Sequence, residues 1–180
     1  MVYVRMGVKR LILAREMTLD EIKEFRSKIP DEIEIEAFAH GAMCISYSGR
    51  CLLSNFFTSR DANRGACVQA CRWNYEIREI NKEQYYPIEE DKHGTYILNS
   101  KDMCMIDHLD KMRDAGISSI KVEGRMKSPY YVATIINAYR RAISHLEYCR
   151  ANNIEYKTPE ILKTELLKAS HRKYTTGFMF

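Results

Sequence analysis

The sequence predicts an α/β protein built on a parallel sheet, and three observations carry that expectation. Apolar or alternating runs at residues 11–15, 33–38 and 117–122 read as strands. Segments of helical period separate them, and each of those carries its own start or stop signal. Strands that alternate with helices in this way favour parallel pairing through right-handed crossovers. Three strands are clear and four at most can be counted, whereas a closed β/α barrel takes eight strands and typically about 250 residues. At 180 residues the chain is short for one.

The elements follow in order. Residues 11–15 form a brief β run. Thr18, followed by Leu19, Asp20 and Glu21, makes a capping box in which Thr18 and Glu21 satisfy each other's end of a helix start. Leu19, Ile22 and Phe25 sit at helical spacing, and Pro30 stops the helix. Residues 33–38 alternate as a strand does. From 39 to 75 the periodicity disappears, and a loop of that length without structure of its own points to function. Residues 75–99 look β-rich, with a hairpin formed by 85–88 and 95–98 through a turn at 89–94. Asp107 opens a second helix, with Leu109, Met112 and Ala115 inward and Gly116 just past its end. After the strand at 117–122, Ser128 and Pro129 read as cap and first residue of a long helix over 130–148. Its stripe Tyr131, Ile135, Ala138 and Ala142 belongs to the core. Residues 152–159 form a linker and 159–168 a short amphipathic helix. The domain expectation is therefore a main body over 1–150 and a C-terminal extension over 151–180.

Composition sets the function classes. With 46% hydrophobic and 29% charged residues the chain can build a core and is neither disordered nor fibrous. The balance of 28 basic to 24 acidic residues, net +4, is mildly basic and compatible with nucleic acid. No apolar run approaches the roughly 18 residues that a membrane span needs. The opening MVYVRMGVKR has no apolar stretch of the kind a secretory leader uses. The expectation is a cytoplasmic protein. Six cysteines in such a chain suggest metal, cluster or redox chemistry rather than disulfides.

Those cysteines are Cys44, Cys51, Cys67, Cys71, Cys104 and Cys149. Six residues separate Cys44 from Cys51, fifteen separate Cys51 from Cys67, and thirty-two separate Cys71 from Cys104. None of these is the two-residue knuckle of a structural zinc site. Thiolates spread over several loops can instead converge on an iron–sulfur cluster, which takes soft anionic ligands from any direction. The loop's arginines, Arg50, Arg60, Arg64 and Arg72, would offset thiolate charge and hold an anionic substrate. Cys149, on the long helix, reads as a small buried hydrophobe.

A resemblance adds to this. The run from Glu36 through Ser54, EAFAHGAMCISYSGRCLLS, resembles the signature of peptidase family U32. The blocks NRGACVQACRW from Asn63 and KVEGRMKS from Lys121 resemble two further family blocks, and the tail SHRKYTTGF from Ser170 is similar as well. The resemblance covers roughly residues 10–180. It implies a partial (β/α) TIM-barrel-like fragment, corresponding to the second half of the barrel region, with parallel strands, a long cysteine-rich loop over 39–75 and a β-hairpin insertion. It further implies a [4Fe–4S] cluster, with Cys44, Cys51, Cys67 and Cys104 as ligands and Cys71 as the alternative to Cys67. The implied activity is prephenate-linked hydroxylation of a tRNA uridine to 5-hydroxyuridine, with tRNA as partner. A further chain would supply the missing N-terminal half-barrel. The alternatives are a collagenase-like U32 peptidase and a non-catalytic subunit that carries the cluster.

The remaining site expectations concern strand ends. Glu36 and His40 are expected at the C-terminal rim, where barrel enzymes keep their chemistry, as a general acid–base pair. Glu123 likewise ends a strand. The loop after it, with Arg125 and Lys127 before a helix N-terminus, suits an anionic donor or a phosphate, as do Arg50 and Arg64. Lys163, Lys168, His171, Arg172, Lys173 and Tyr174 make a basic patch with an aromatic neighbour, fit to meet RNA. No zinc-protease HExxH and no GxSxG elbow is present.

Overall fold

The computed structural model describes residues 2–44, 46–47, 50–73, 75–78, 80–81, 83, 85–87, 90–91, 94–95 and 101–180. In chain order the elements are α1 (Val2–Arg5), β1 (Arg10–Ile12), α2 (Leu19–Arg26), β2 (Glu34–Ala42), α3 (Leu53–Thr58), β3 (Glu76–Arg78), β4 (Tyr85–Pro87), β5 (Glu90–Asp91), β6 (Gly94–Thr95), β7 (Asp102–Cys104), α4 (Leu109–Asp114), β8 (Ser119–Val122), α5 (Pro129–Ala151), α6 (Glu160–Leu167) and β9 (Tyr174–Thr175). They form two compact units. The first is Met1–Ala42 together with Asp102–Phe180, and the second is Met43–Lys101. Among the described residues no helix is long and apolar enough to cross a membrane.

The first unit is organised by β2. It pairs in parallel with β1, Arg10 opposite Glu34 and Ile12 opposite Glu36. It also pairs in parallel with β8, and antiparallel with β7, where Ala42 faces Asp102. Glu36 is opposite both Ile12 and Ser119, and His40 is opposite both Cys104 and Val122. So β1 and β7 share one edge of β2 while β8 takes the other. β9 adds to β7 in parallel. The expected parallel strands are therefore present in a mixed α/β unit, and the sheet of described strands is not closed.

Local chemistry accounts for most boundaries. The Thr18 backbone N–H donates to Glu21 Oε2 at 2.8 Å and the Glu21 N–H to Thr18 Oγ1 at 3.2 Å, the expected capping box. Tyr131 N–H donates to Ser128 Oγ at 3.2 Å, with Pro129 opening the helix. Gly116, at φ +88°, ends the α4 turn after Ala115. α4 begins at Leu109, two residues later than expected, because Ile106–His108 is a separate 3₁₀ turn. α5 buries Tyr131, Ile135, Ala138, Tyr139, Ala142, Leu146 and Cys149 on one stripe, against a core that includes Ile35, Met103, Met105 and Met112.

Two strands differ from expectation. β1 is confined to Arg10–Ile12. β2 runs to Ala42, past the point where its alternation ends, because of a β-bulge: Phe38 faces Lys121, but the next rung is His40 opposite Val122. Ala39 is the extra residue, and it breaks the two-residue period.

In the second unit, the stretch expected to be without structure holds α3 and two 3₁₀ turns, Ala62–Arg64 and Ala70–Arg72. β4 pairs with β3, and β5 with β6 in a separate short ladder. The expected partnership of 85–88 with 95–98 is thus replaced at 85–87 by pairing with 76–78. Residues 88–89 and 96–98 lie outside the described residues.

Gly41 is the backbone position with least freedom. Its φ is +105°, and a Cβ there would sit 2.3 Å from the Glu123 carbonyl oxygen. Gly7 has φ +82° with nothing within 4 Å. Both substitutions to Ala carry the backbone strain, and only Gly41→Ala adds the clash. Gly41→Ala should lower the unfolding free energy by more than about 3 kcal/mol and Gly7→Ala by about 1 kcal/mol. Urea denaturation of the two variants measures this, and equal losses would refute the close-approach argument.

Candidate functional site

At the centre of the first unit a single hydroxyl collects three groups. Tyr139 Oη lies 2.8 Å from the Ala39 carbonyl, receives the Met105 N–H at 3.0 Å and lies 3.2 Å from His40 Nδ1. With its one proton donated to the Ala39 carbonyl, which the Met105 N–H also reaches at 2.9 Å, Nδ1–H of His40 is a donor to the oxygen alongside Met105. His40 is therefore assigned the Nδ1-protonated tautomer, leaving Nε2 as an acceptor. That nitrogen is buried without a hydrogen-bond partner in the structure. Three rings surround the imidazole: Tyr174 at 5.3 Å, Tyr139 at 5.4 Å and Tyr131 at 6.2 Å between centroids. Burial pushes His40 down to about 4, helped by His171 and Lys127 and opposed by Asp102. The ring is neutral at physiological pH. Burial also keeps Tyr139 protonated.

Asp102, fully buried, accepts the Arg172 N–H at 3.0 Å, and Lys127 Nζ lies 3.9 Å from the same carboxylate. Lys127 also donates to the Ser170 carbonyl at 2.9 Å and sits 4.8 Å from the Tyr131 ring centre. It is engaged with the tail rather than held ready in the loop. The tail itself is folded in: His171 stacks on Tyr174 at 4.3 Å, and Leu19 N–H donates to the Met179 carbonyl at 3.1 Å. Within the basic patch, Lys163 pairs with Asp107 at 3.0 Å and Lys168 with Glu165 at 2.6 Å.

The expected rim carboxylates are both occupied. Glu36 is the third residue of β2 rather than its end, and its Oε2 accepts from Arg10 Nη1 at 3.0 Å and Ser119 Oγ at 2.9 Å. Glu123 does follow β8. Its Oε1 accepts the Arg125 N–H at 2.9 Å, its Oε2 lies 3.4 Å from Arg15 Nη2, and its own N–H donates to the His40 carbonyl at 2.8 Å. Arg15 lies flat on Phe38, 3.6 Å from the ring centre, and Lys121 Nζ is 5.2 Å from the same ring. Arg125 is exposed, and its backbone rather than its guanidinium is what binds Glu123.

The second unit carries Cys44, Cys51, Cys67 and Cys71, the first three half-buried and Cys71 buried. The Cys71 thiol is pushed up by burial first, and then by Cys44, Cys67 and Cys51, with Arg72 opposing. The four thiols thus share one electrostatic neighbourhood. Ser54 Oγ receives the Val68 N–H at 3.1 Å, Cys67 Sγ receives the Gln69 N–H at 3.3 Å, and Arg72 Nη2 donates to the Met43 carbonyl at 3.2 Å. These bonds tie the segments bearing Cys44, Cys67 and Cys71 together. Among the described residues, no three His, Cys, Asp or Glu side chains stand in metal-ligating geometry. The donor chemistry nonetheless fits a soft metal. The neighbouring thiolates favour the proton on Cys71, and a bound cation would reverse that sign. Arg50 and Arg64 are exposed in the same unit.

Cys104 belongs to the first unit, where its Sγ is 3.8 Å from Tyr139 Oη. Burial raises its thiol, against the Ile106 N–H and Tyr139, which favour the thiolate. Cys149 is buried on α5 with His145 Nε2 at 3.5 Å, the packing role expected of it. Sequence reasoning missed Tyr139 and Asp102, and it placed Tyr174 in an RNA-facing patch rather than against His40. Tyr139 was open to discovery, since it follows Ile135 by four residues on the stripe already read as core.

Comparison with known proteins gives a consistent picture. The profile described as Peptidase family U32 matches residues 1–180. tRNA hydroxylation protein P of Escherichia coli (strain K12) is 38% identical over 215 residues, covering 97% of this chain and 46% of that protein. tRNA hydroxylation protein P1 of Bacillus subtilis (strain 168) is 42% identical over 172 residues, covering 96% and 40%. A protein named collagenase from Porphyromonas gingivalis is 37% identical over 148 residues, covering 77% and 34%. The chain therefore spans less than half the length of these relatives. No solved structure matches it significantly.

The buried His40 makes stability depend on pH. Its value in the folded chain, about 4, lies below the ordinary 6.5. Above 6.5 neither state holds the proton. Between 6.5 and 4 the unfolded chain takes it up while the folded chain does not, so stability falls through that window, by up to about 3 kcal/mol. His40→Gln should lose this component. Urea unfolding of both proteins at about pH 7 and about pH 4.5 checks it, and parallel losses would overturn it.

Proposed function

The chain belongs to peptidase family U32, and from that premise we propose that it supports hydroxylation of a tRNA uridine to 5-hydroxyuridine, as an iron–sulfur protein using an anionic donor such as prephenate. The observation that carries this reading is the match of nearly the whole chain to relatives named tRNA hydroxylation protein P and P1. The open sheet, with β1, β2 and β8 parallel, is read as part of a (β/α) barrel of the TIM type. The outer edges of β1 and β8 would be continued by strands from another polypeptide segment or chain.

In this reading Cys44, Cys51, Cys67 and Cys104 hold a [4Fe–4S] cluster, and Cys71, electrostatically coupled to the first three, competes with Cys67 for its place. When bound, such a cluster supplies one-electron or Lewis-acid chemistry. The chain's own residues do the rest. Arg50 and Arg64 attract the anionic donor and RNA phosphates. Neutral His40 presents Nε2 as a proton acceptor in a water-poor surrounding. Glu123 orients Arg15 and the Arg125 backbone. Glu36, engaged by Arg10 and Ser119, has a structural role.

The peptidase alternative is favoured by the relative named collagenase. It needs an activated nucleophile. Cys104, the thiol opposite His40 in the β2–β7 ladder, is held protonated by burial rather than activated.

The test is mass spectrometry of tRNA nucleosides from cells lacking the gene, complemented with wild type or Cys44→Ala. Wild type should restore 5-hydroxyuridine derivatives and Cys44→Ala should not. Unchanged nucleosides together with collagen cleavage by iron-free protein would establish the peptidase. Protein purified without oxygen should contain iron and sulfide, lost in Cys51→Ser and kept in Cys149→Ser. Iron analysis of Cys104→Ser, Cys67→Ser and Cys71→Ser identifies the remaining ligands, and full iron in Cys104→Ser would remove Cys104 from the set.

A further inference from the structure

Four aromatic rings of the second unit form a shelf that is open to solvent among the described residues. Phe57 is the hub, with ring centroids 5.2 Å from Phe56, 5.8 Å from Trp73 and 6.0 Å from Tyr75. Trp73 and Tyr75 lie 6.5 Å apart and nearly parallel, at 23°. Phe56 is 80% exposed, Trp73 47% and Phe57 45%. The Tyr75 hydroxyl donates to the Ala70 carbonyl at 2.8 Å, anchoring one end. Rings of this size usually close into a core. Left clustered and open to solvent, they mark a recognition surface.

Charge identifies the occupant. Residues 43–75 contain Arg50, Arg60, Arg64 and Arg72 against one acid, Asp61, whose carboxylate accepts from Asn55 Nδ2 at 2.6 Å. Arg50, Arg60 and Arg64 are exposed. Open π-faces in a segment whose arginines outnumber its acids four to one match single-stranded nucleic acid, whose bases stack and whose phosphates need cations. A purely apolar protein partner would have no use for the arginines. We propose that the shelf of Phe56, Phe57, Trp73 and Tyr75 stacks unpaired bases of an RNA loop, with the exposed arginines of the same segment on its phosphates.

This deepens the RNA reading above and rests on it. Trp73 is the chain's single tryptophan, so selectively excited tryptophan fluorescence reports on the shelf alone. The full chain is titrated with an oligouridylate of about ten nucleotides and with a duplex of the same length. The single strand should quench Trp73 saturably and the duplex should not, and added salt should weaken binding. Phe57→Leu, which keeps apolar bulk and removes the π-face, should weaken binding roughly tenfold with an unchanged urea midpoint. Arg60→Ala combined with Arg64→Ala should flatten the salt dependence while leaving the shelf folded. Absence of quenching, equal binding of duplex, or full affinity in Phe57→Leu would overturn the proposal. So would concentration-dependent self-association that shields Trp73, which would make the shelf a protein interface. The two readings fail separately. A Phe57→Leu strain that keeps 5-hydroxyuridine while the deletion strain loses it sinks only the shelf. A deletion strain with normal nucleosides sinks the hydroxylation reading, whatever the binding shows.

Discussion

The Tyr139 hydroxyl is the point on which the first unit depends. It reaches from α5 to the β2 carbonyl at Ala39 and to the Met105 N–H just past β7, so helix and both strands meet at one oxygen. The same oxygen is the hydrogen-bond partner of His40 Nδ1 at 3.2 Å. Burial keeps the phenol protonated, so the arrangement does not change over physiological pH. An apolar ring of the same shape would leave His40 Nδ1 without this partner in the core, while the Met105 N–H would still reach the Ala39 carbonyl at 2.9 Å.

Features set by neighbours in the chain were the legible ones. The Thr18 box, the Ser128–Pro129 helix start and the Gly116 stop are determined within a few residues, and the structure has all three. β7 and β9, three and two residues long, exist because distant strands pair with them, and no periodicity can develop over so short a run. β2 was followed only as far as Phe38, since the bulge at Ala39 is a property of its pairing with β8. Asp102 looks in sequence like a surface acid beside Lys101. The tail that returns to cover it lies about seventy residues further on.

The candidate site divides along the same line. Cysteine spacing and motif resemblance single out the thiols, but that Cys71 lies within electrostatic reach of Cys44, Cys51 and Cys67 is a fact of folding. Lys127 looked like an anion ligand in a strand-to-helix loop. In three dimensions its charge is directed to Asp102 and the Ser170 carbonyl. Glu36 shows the converse, where a carboxylate in a suggestive motif is occupied by an arginine from the neighbouring strand.

The second unit enters and leaves the sheet at facing residues, since Ala42 and Asp102 are partners in one antiparallel rung. A neck closed by a ladder is insensitive to how much chain passes through it, because doubling a closed loop costs only about 0.6 kcal/mol. The matches to the Escherichia coli and Bacillus subtilis relatives extend over 215 and 172 residues for nearly equal shares of this chain, so relatives differ in length inside the matched region. A paired neck lets the segment beyond the sheet change length at little cost to the Tyr139 junction. The segment so carried can be revised without renegotiating the stability of the scaffold.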